Sequence, residues 1–488
     1  MPLEMKSPLR VLFITAEAEP FVKIGGLGDY GGSLPKAISD LNSPDAPTID
    51  IRVVLPFHAG IEEHVPNLTI ITNFNVPTRK GYAKGQIFQF AFHDIIYYLI
   101  KRLGNPSGYK NVYNPTPQED AQKYIFFSAA CLEVFKLINW VPDIIHANDW
   151  HTAISAFRLD ETRRKDKFFR QIRSMLTVHN LPFMGEGSQS VLNKFQLAPL
   201  KSTVLPNWAK HLPLSMGLEK ADEIVAVSPS YAEELKQVEF GDGLANFFIQ
   251  NTKKTTGILN GIDTEIWNPE TDNCITQNFS IDHLNLRKIN KEKVLQDFDL
   301  EKNARKPLLV MISRLSHQKG INLILEGLPL LLNEGWTAIL LGSGQVELEN
   351  GLKDLESQAP NRIKTVFEFN NDLAHRLYAS GDILLMPSVY EPCGLSQMIA
   401  MRYGCIPVAR GVGGLKDSIC SSPVRLKTGY LFEKADGLAF ANCLRQAFSD
   451  FDDLRKWEAI QKRAMKADFS WKKSAMQYRG LYQAMLAK

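Results

Sequence analysis

The sequence predicts an α/β protein built from two doubly wound, parallel-sheet domains. Short runs that are apolar on both faces recur along the chain, and each is followed by a helical pattern. Parallel strands covered by helices have this composition, because both faces of the sheet are buried. The alternation stops between about 268 and 306, where the chain is polar, and then resumes. In a chain of 488 residues, this break predicts two domains.

The elements follow from the same pattern. In the first half we expect strands at 10–16, 51–55, 95–100, 143–147, 174–178 and 223–227, with helices at 32–41, 120–139 and 229–236. In the second half we expect strands at 307–313, 338–342, 363–368, 383–387 and 406–409, with helices at 321–332, 371–379, 395–403 and 438–448. The predicted domains are 1–265 and 266–470, followed by a terminal helix within 471–488.

The overall charge excludes some classes of partner. Lys plus Arg number 56 and Asp plus Glu 53, so a net charge of +3 creates no field favouring nucleic acid or an anionic membrane. The six cysteines include no CxxC pair, which fits a reducing compartment. There is no signal-peptide core and no apolar run of about 18 residues. We therefore expect a cytoplasmic protein; its oligomeric state is not predicted.

A glycine-rich loop, Lys23-Ile-Gly-Gly-Leu-Gly-Asp29, follows the first strand and is expected to lead into a helix near Gly31. Its glycines let backbone N–H groups approach an anion, the helix N-terminus is partially positive, and Lys23 adds a full charge. These features suit a phosphate. A tight strand–helix turn with an exposed lysine explains the same residues.

A second cationic loop, Ser313–Gly320, follows the first strand of the second half. Arg314 and Lys319 could converge on one diphosphate, Arg through its planar fork and Lys as a point charge. The alternative is two surface cations at a helix start, where the helix dipole disfavours them. That penalty favours a bound anion.

Glu391-Pro-Cys-Gly-Leu-Ser-Gln397 follows the strand at 383–387 and opens a helix. N–H groups near Gly394–Ser396 can cap a phosphate, and Glu391 can accept hydrogen bonds from two sugar hydroxyls. A helix-entry carboxylate is favourable by itself, so Glu391 also has a purely structural explanation. Cys393 is expected to be a packed small residue, because no nearby base is evident.

Polar residues also follow two strands of the first half, in the segments His146–His151 and Thr177–Asn180. We expect both to point into one cleft at the carboxyl ends of the strands. A histidine at a strand end is often structural, but this grouping favours function. A metal could be held by His146, His151, Asp149 and His179, although we expect none.

Together these motifs resemble bacterial glycogen synthases and plant starch synthases, the glucosyltransferases of family 5. The resemblance spans essentially the whole chain. Besides the segments above, it is carried by Val227–Tyr231, Ile258–Asp263, Pro387–Gln397 and Gly413–Asp417. It implies the GT-B fold, with two Rossmann-like domains facing across a deep cleft. It also implies a retaining transfer from ADP-glucose to an α-1,4-glucan, without a metal or other cofactor.

The resemblance also implies a role for each site residue. Those expected in catalysis are Lys23, Asp149, His179, Arg314, Lys319 and Glu391. Those expected to bind the donor are Lys23, Gly25, Gly26, Asp29, Asn260, Arg314, Lys319, Phe369, Cys393, Gly394, Leu395 and Ser396. Without the resemblance, Phe369 would be assigned to core packing and Asn260 to a turn.

The chain departs from the family in places. Ser396 stands where Thr is common. Ile399 stands where related retaining transferases have a second Glu, but this is usual for family 5 and argues against the sucrose- or trehalose-type relatives. The segments Lys101–Tyr113 and Leu181–Ser190 are atypical, and both are implied to line the acceptor side. These segments leave open UDP-glucose or a small acceptor as substrate. A non-catalytic glucan-binding protein on the same scaffold is a further alternative, but it would need loss of phosphate-binding groups, and Lys23, Arg314 and Lys319 are all present.

Overall fold

The computed structural model describes residues 8–43, 48–104, 111–301, 303 and 305–487. Contacts divide the chain into two compact units. The first comprises Met1–Gly261 together with Trp471–Lys488, and the second comprises Ile262–Ser470. In the described ranges, no helix is both long and apolar enough to cross a membrane.

The first unit is built on a nine-stranded sheet. Its strands are β1 (Leu9–Ile14), β2 (Ile49–Pro56), β3 (Thr69–Thr78), β4 (Gly81–Phe92), β5 (Ile95–Arg102), β6 (Ile144–Asn148), β7 (Arg173–Val178), β8 (Glu223–Ala226) and β9 (Thr255–Gly257). Their order is β3-β4-β5-β2-β1-β6-β7-β8-β9. The six predicted strands are all present.

One edge of this sheet differs from the prediction of a wholly parallel sheet. Strand β4 pairs antiparallel with both β3 and β5. Neither β3 nor β4 was expected, because a search for runs apolar on both faces does not detect them. Strand β3 has only two buried side chains, Phe74 and Val76, and the rest are exposed or half-buried. An edge strand with one solvated face has this composition.

The helices of the first unit cover the sheet. They are α1 (Gly26–Ser39), α2 (Pro117–Leu137), α3 (Asp149–Arg163), α4 (Gln189–Lys194), α5 (Pro213–Lys220), α6 (Pro229–Glu234), α7 (Ala245–Gln250) and the terminal helix α16 (Trp471–Ala487). Thr116 caps α2 by accepting a hydrogen bond from the Glu119 N–H, and Pro117 occupies the first turn, where no N–H is needed. Helix α1 starts at Gly26 and not near Gly31, so the prediction of a longer loop was wrong.

The terminal helix packs against α1 of the first unit. The Tyr30 hydroxyl donates to the Tyr478 hydroxyl (3.0 Å), and the Tyr482 hydroxyl lies 2.6 Å from His146 Nδ1. Ser474 Oγ donates to the Leu259 carbonyl (2.6 Å). These contacts are buried or partly buried and connect residues far apart in sequence, so the last helix completes the core of the first unit.

The second unit has a six-stranded parallel sheet. Its strands are β10 (Leu308–Ile312), β11 (Thr337–Leu341), β12 (Ile363–Val366), β13 (Ile383–Met386), β14 (Ile406–Arg410) and β15 (Tyr430–Phe432), in the order β12-β11-β10-β13-β14-β15. The helices are α8 (Arg287–Asp297), α9 (Ile321–Gly327), α10 (Val346–Gln358), α11 (Asn371–Ser380), α12 (Ser396–Arg402), α13 (Gly413–Ser418), α14 (Gly437–Phe451) and α15 (Leu454–Lys466). The helix expected over 321–332 ends early, and a 3₁₀ turn containing Pro329 follows.

Candidate active site

In each sheet there is one point at which successive strands stop being added on one side and are added on the other. In the first unit this point lies between β1 and β6, and in the second between β10 and β13. Ligands of open α/β sheets bind beyond the carboxyl ends of the strands at such switch points. The loop containing Lys23 follows β1, Asp149 follows β6, Lys319 follows β10 and Glu391 follows β13. These four predicted site residues therefore lie where each fold favours a ligand.

Lys23 is already paired in this structure. Its Nζ lies 2.9 Å from Glu19 Oε2 and 2.8 Å from Asp29 Oδ1. Burial raises the pKa of Asp29 to about 6, against the opposing attraction of Lys23. The sequence had indicated an uncompensated cation in this loop, but in the structure the charge of Lys23 is compensated. An anion that engages Lys23 must compete with two carboxylates.

Glu17, which sequence reasoning missed, fixes the shape of this loop. Its Oε2 accepts hydrogen bonds from the N–H groups of Ile24 (2.6 Å) and Gly25 (3.1 Å), and its Oε1 accepts one from the Tyr113 hydroxyl. The glycine at 31 has a packing role, because a Cβ there would lie 2.1 Å from the Glu17 carbonyl oxygen. Two of the loop N–H groups that could have faced a phosphate therefore donate to a carboxylate.

Asp149 and His179 are joined directly. Asp149 Oδ1 accepts hydrogen bonds from the backbone N–H groups of His179 (2.7 Å) and Asn180 (3.4 Å). Burial raises the pKa of Asp149 to about 7 and lowers that of His179 to about 3. Asp149 also has φ of +55°, a conformation that L residues seldom adopt and that clusters at functional sites. The structure thus holds a buried carboxyl group in a strained backbone conformation, and this group is hydrogen-bonded to the main chain of a residue whose imidazole is neutral.

The four residues considered for a metal are not arranged as one set of ligands. Both ring nitrogens of His146 are hydrogen-bonded, one to Thr177 Oγ1 (2.7 Å) and one to Tyr482. Where the structure is described, three potential ligands do meet elsewhere, namely Asp272, Cys274 and His375. Asp272 already accepts from the Tyr403 hydroxyl (2.5 Å) and lies 2.7 Å from His375 Nδ1, which accounts for the cluster without a metal.

Three buried polar atoms near the strand ends of the first unit have no hydrogen-bond partner among the described residues. They are Nδ1 of His151 and Oδ1 of Asn180 and Asn260. Buried polar groups are almost always paired, and an unpaired one costs about 1–3 kcal/mol. Asn260 was expected to orient the donor sugar, and an unpaired oxygen is available for that role. His151 was grouped with the strand-end residues but was not assigned a role.

In the second unit, Lys319 and Glu391 form a close ion pair. Lys319 Nζ lies 2.8 and 2.7 Å from the two Glu391 carboxylate oxygens, and the Ser388 hydroxyl donates to Oε2 (2.8 Å). Both side chains are largely buried. Glu391 therefore offsets within the protein the unfavourable helix-dipole interaction of Lys319 that had favoured a bound anion.

The two loops carrying this pair are held together through their backbones. The Val389 N–H donates to the Gln318 carbonyl (2.9 Å), and Gln318 Nε2 donates to the Tyr390 carbonyl (3.2 Å). Gly320 has φ of +67°, and a Cβ there would lie 2.0 Å from the Pro387 carbonyl oxygen. Only glycine fits this close approach. The glycine therefore sets the position of the ion pair.

Arg314 and Phe369 remain available at the same edge of the second sheet. Arg314 is exposed and forms no ion pair with a described residue. Phe369, on the loop after β12, is 88% exposed, so it does not belong to the core. Strands β10 and β12 are separated by two strand spacings, roughly 10 Å. A free guanidinium and a free aromatic ring are thus placed to bind different parts of one ligand.

The residues before α12 form a turn. Gly394 has φ of +75°, Cys393 is buried as expected, and Leu395 and Ser396 are half-buried. Gln397 Nε2 donates to the carbonyls of Cys393 (3.2 Å) and Gly394 (3.0 Å), which fixes the turn. Gly25 and Gly26 occupy the equivalent helix entry of the first unit, before and at the start of α1. Part of the atypical segment Lys101–Tyr113 lies outside the described residues.

Two family models match the chain. Residues 10–250 match the starch synthase catalytic domain, and residues 293–464 match the glycosyl transferases group 1. A glycogen synthase from Clostridium perfringens is 35% identical over 486 residues, covering 98% of both chains. One from Lactobacillus acidophilus is 35% identical and covers 98% of this chain and all of the relative. The chain belongs to the glycogen and starch synthase family. Its members elongate a glucan by glucosyl transfer.

Solved structures agree with this assignment. The catalytic domain of starch synthase IV from Arabidopsis thaliana, bound to ADP and acarbose, matches with a TM-score of 0.89 and 31% identity. The match covers 99% of this chain and all of the other. A sucrose-phosphate synthase from Thermosynechococcus elongatus shares the fold, with a TM-score of 0.62 at 17% identity. This glucosyltransferase therefore has the GT-B fold that the sequence predicted.

Proposed function

We propose that the protein transfers glucose from ADP-glucose to the end of an α-1,4-glucan, with retention of configuration and without a metal. One observation carries the donor assignment: Arg314, which forms no ion pair with a described residue, and Phe369, which is exposed, lie at the same edge of the second sheet. A guanidinium suits a diphosphate and an aromatic ring suits a base. The ADP bound to the related starch synthase supports the choice of nucleotide.

In this mechanism the protein acts mainly by electrostatics. Negative charge builds on the diphosphate as its bond to glucose breaks, and Arg314 and Lys319 stabilise that charge. Lys319 can do so while it stays bonded to Glu391, because an ammonium has three donors and Glu391 uses two. Asn260 supplies its unpaired Oδ1 to a sugar hydroxyl, and the neutral His179 ring adds no charge beside the reacting carbon.

The first experiment measures ADP release from ADP-glucose with glycogen as acceptor, in the presence of EDTA. We expect turnover that EDTA does not reduce. Arg314→Ala should lower kcat/KM by about 10²-fold or more, since it removes a donor that acts on the developing charge. Arg455→Ala is a matched control, because Arg455 is an exposed arginine on helix α15 and not on a strand-end loop. Equal effects of the two variants would refute the role of Arg314.

A second candidate keeps the chemistry and changes the substrates to UDP-glucose or a small acceptor. The atypical segments Lys101–Tyr113 and Leu181–Ser190 favour it. A panel of nucleotide sugars with glycogen, maltotriose and glucose distinguishes the candidates through kcat/KM. We place the reaction in the cytoplasm, which fits six free cysteines.

A further inference from the structure

A basic pocket lies at the outer edge of the first sheet, away from the predicted donor residues. It is open to solvent, has a volume of about 650 Å³, and is bordered by the β3–β4 hairpin, the end of β5 with the residues after it, and helix α4. Five cationic side chains line it, and none of the described residues that line it is acidic. These cations, called the basic cluster below, are Arg79, Lys80, Lys84, Arg102 and Lys194.

The positive charge of the basic cluster is not balanced locally. None of its members forms an ion pair with a described residue, whereas other surface lysines do, such as Lys36 with Asp40. Residues 69–104 contain five Lys or Arg and a single acid, Asp94. Asp94 lies at the opposite end of β4 and β5, roughly 24 Å along the strands from Arg102. Like charges held this close repel one another, and a bound anion relieves that repulsion.

Hydrogen bonds hold the backbone around the pocket in place, and this keeps the cationic side chains close together. A two-residue turn, Arg79-Lys80, closes the hairpin, and the Arg79 N–H donates to the Lys194 carbonyl (2.8 Å). The Arg102 guanidinium lies over the Phe126 ring at 5.5 Å and donates to the Gln122 carbonyl (3.4 Å). Burial and the neighbouring Arg102 lower the pKa of Lys194.

An aromatic ring stands beside these cations. Tyr82, which also lines the pocket, is 70% exposed, although a tyrosine usually buries most of its ring. Ligand sites typically combine an aromatic surface with a few placed charged groups. A sugar ring bearing a phosphate offers both complements: an apolar face for Tyr82 and a dianion for several lysines.

We propose that the basic cluster and Tyr82 form a binding site for a phosphorylated sugar. The site goes beyond the proposed function. Arg102 ends strand β5 and Asp149 follows strand β6, and these strands are three strand spacings apart, roughly 14 Å. The phosphate could belong to a free sugar phosphate or to a phosphorylated residue of the glucan. Both sources share the chemistry that the pocket recognises.

Calorimetric titration of the full chain with glucose 6-phosphate tests the proposal without donor or turnover. We expect saturable binding of glucose 6-phosphate and none of glucose at the same concentration. A triple charge-neutral variant, Lys80→Gln/Lys84→Gln/Lys194→Gln, should weaken binding about tenfold or more, since each substitution removes a charge-assisted hydrogen bond to the phosphate. These lysines are exposed, so the variant should fold. The matched control changes three exposed lysines of the same unit that do not line the pocket, Lys165→Gln/Lys167→Gln/Lys253→Gln.

A second variant separates sugar from phosphate recognition. Tyr82→Ala should weaken binding of glucose 6-phosphate but leave binding of inorganic phosphate unchanged. No binding of glucose 6-phosphate, equal binding of glucose, or equal losses in the triple variant and its control would each overturn the proposal. Because these measurements use no ADP-glucose, their failure is distinct from failure of the transferase assay.

The source of the phosphate is read from initial rates. If it belongs to the glucan, a phosphorylated glucan should have a lower KM than the same glucan after phosphatase treatment, and the triple variant should abolish the difference. If it belongs to a free sugar, the two glucans should have equal KM and added glucose 6-phosphate should change the rate in wild type only. Either pattern supports a site that binds a phosphorylated sugar. If neither pattern is seen and glucose 6-phosphate does not bind, the proposal is refuted.

Discussion

Replacing Asp149 by Asn should stabilise the protein at alkaline pH. The carboxyl group is buried, and its pKa rises from 3.8 to about 7. Keeping this group ionised in the folded protein therefore costs free energy that the unfolded chain does not incur. The cost is complete above pH 7 and disappears below pH 3.8, because a raised carboxyl pKa favours the protonated folded state. Asn removes the ionisation and keeps an oxygen to accept the His179 N–H.

The size of the effect follows from the shift. A change from 3.8 to about 7 corresponds to roughly 4 kcal/mol. Relaxation of the structure and entry of water reduce such penalties, so we expect Asp149→Asn to raise the free energy of unfolding by about 1–3 kcal/mol at pH 8. Asn tolerates the positive φ at this position, so the substitution adds little backbone strain.

Urea unfolding at pH 8 and pH 5, for wild type and variant, checks this expectation. The stabilisation should be largest at pH 8 and smaller at pH 5, where the wild-type carboxyl is mostly protonated. Glycogen elongation should fall in the same variant, since a strained and destabilised site is retained for function. A variant that is less stable than wild type at pH 8, or equally shifted at both pH values, would refute the assignment of a buried ionising carboxyl group.

Three further outcomes are expected. Phe369→Ala should leave thermal stability unchanged, because the ring is 88% exposed, while raising KM for ADP-glucose about tenfold through lost stacking; Phe369→Tyr should restore KM. Gly320→Ala should lower the free energy of unfolding by about 1–3 kcal/mol, measured by urea titration, because its φ is +67° and Pro387 O blocks a Cβ. Lys319→Met should lower the free energy of unfolding by about 3 kcal/mol, because Glu391 stays buried without its cation. Adding Glu391→Gln should recover the stability in the same titration but should not recover transferase activity.

The sequence determined the fold class and the positions of the site residues along the chain. Parallel strands buried on both faces leave continuous apolar runs, so their order could be read directly. The loops after those strands then had to meet at one edge of each sheet, which placed Asp149 near His179 and Lys319 near Glu391. The antiparallel hairpin of β3 and β4 escaped detection because one of its faces is solvated.

Only the tertiary structure decided how the charges are compensated. Lys23 and Lys319 looked like unpaired cations in sequence, yet Lys23 is neutralised by the nearby Glu19 and Asp29 and Lys319 by Glu391, 72 residues further along the chain, while Arg314 forms no ion pair with a described residue. The glycine at 31, predicted to lie at the start of a helix, is inside α1 and admits the Glu17 backbone. Ion pairing and close packing depend on distances between side chains and backbone atoms in the folded chain, and a linear pattern does not contain those distances.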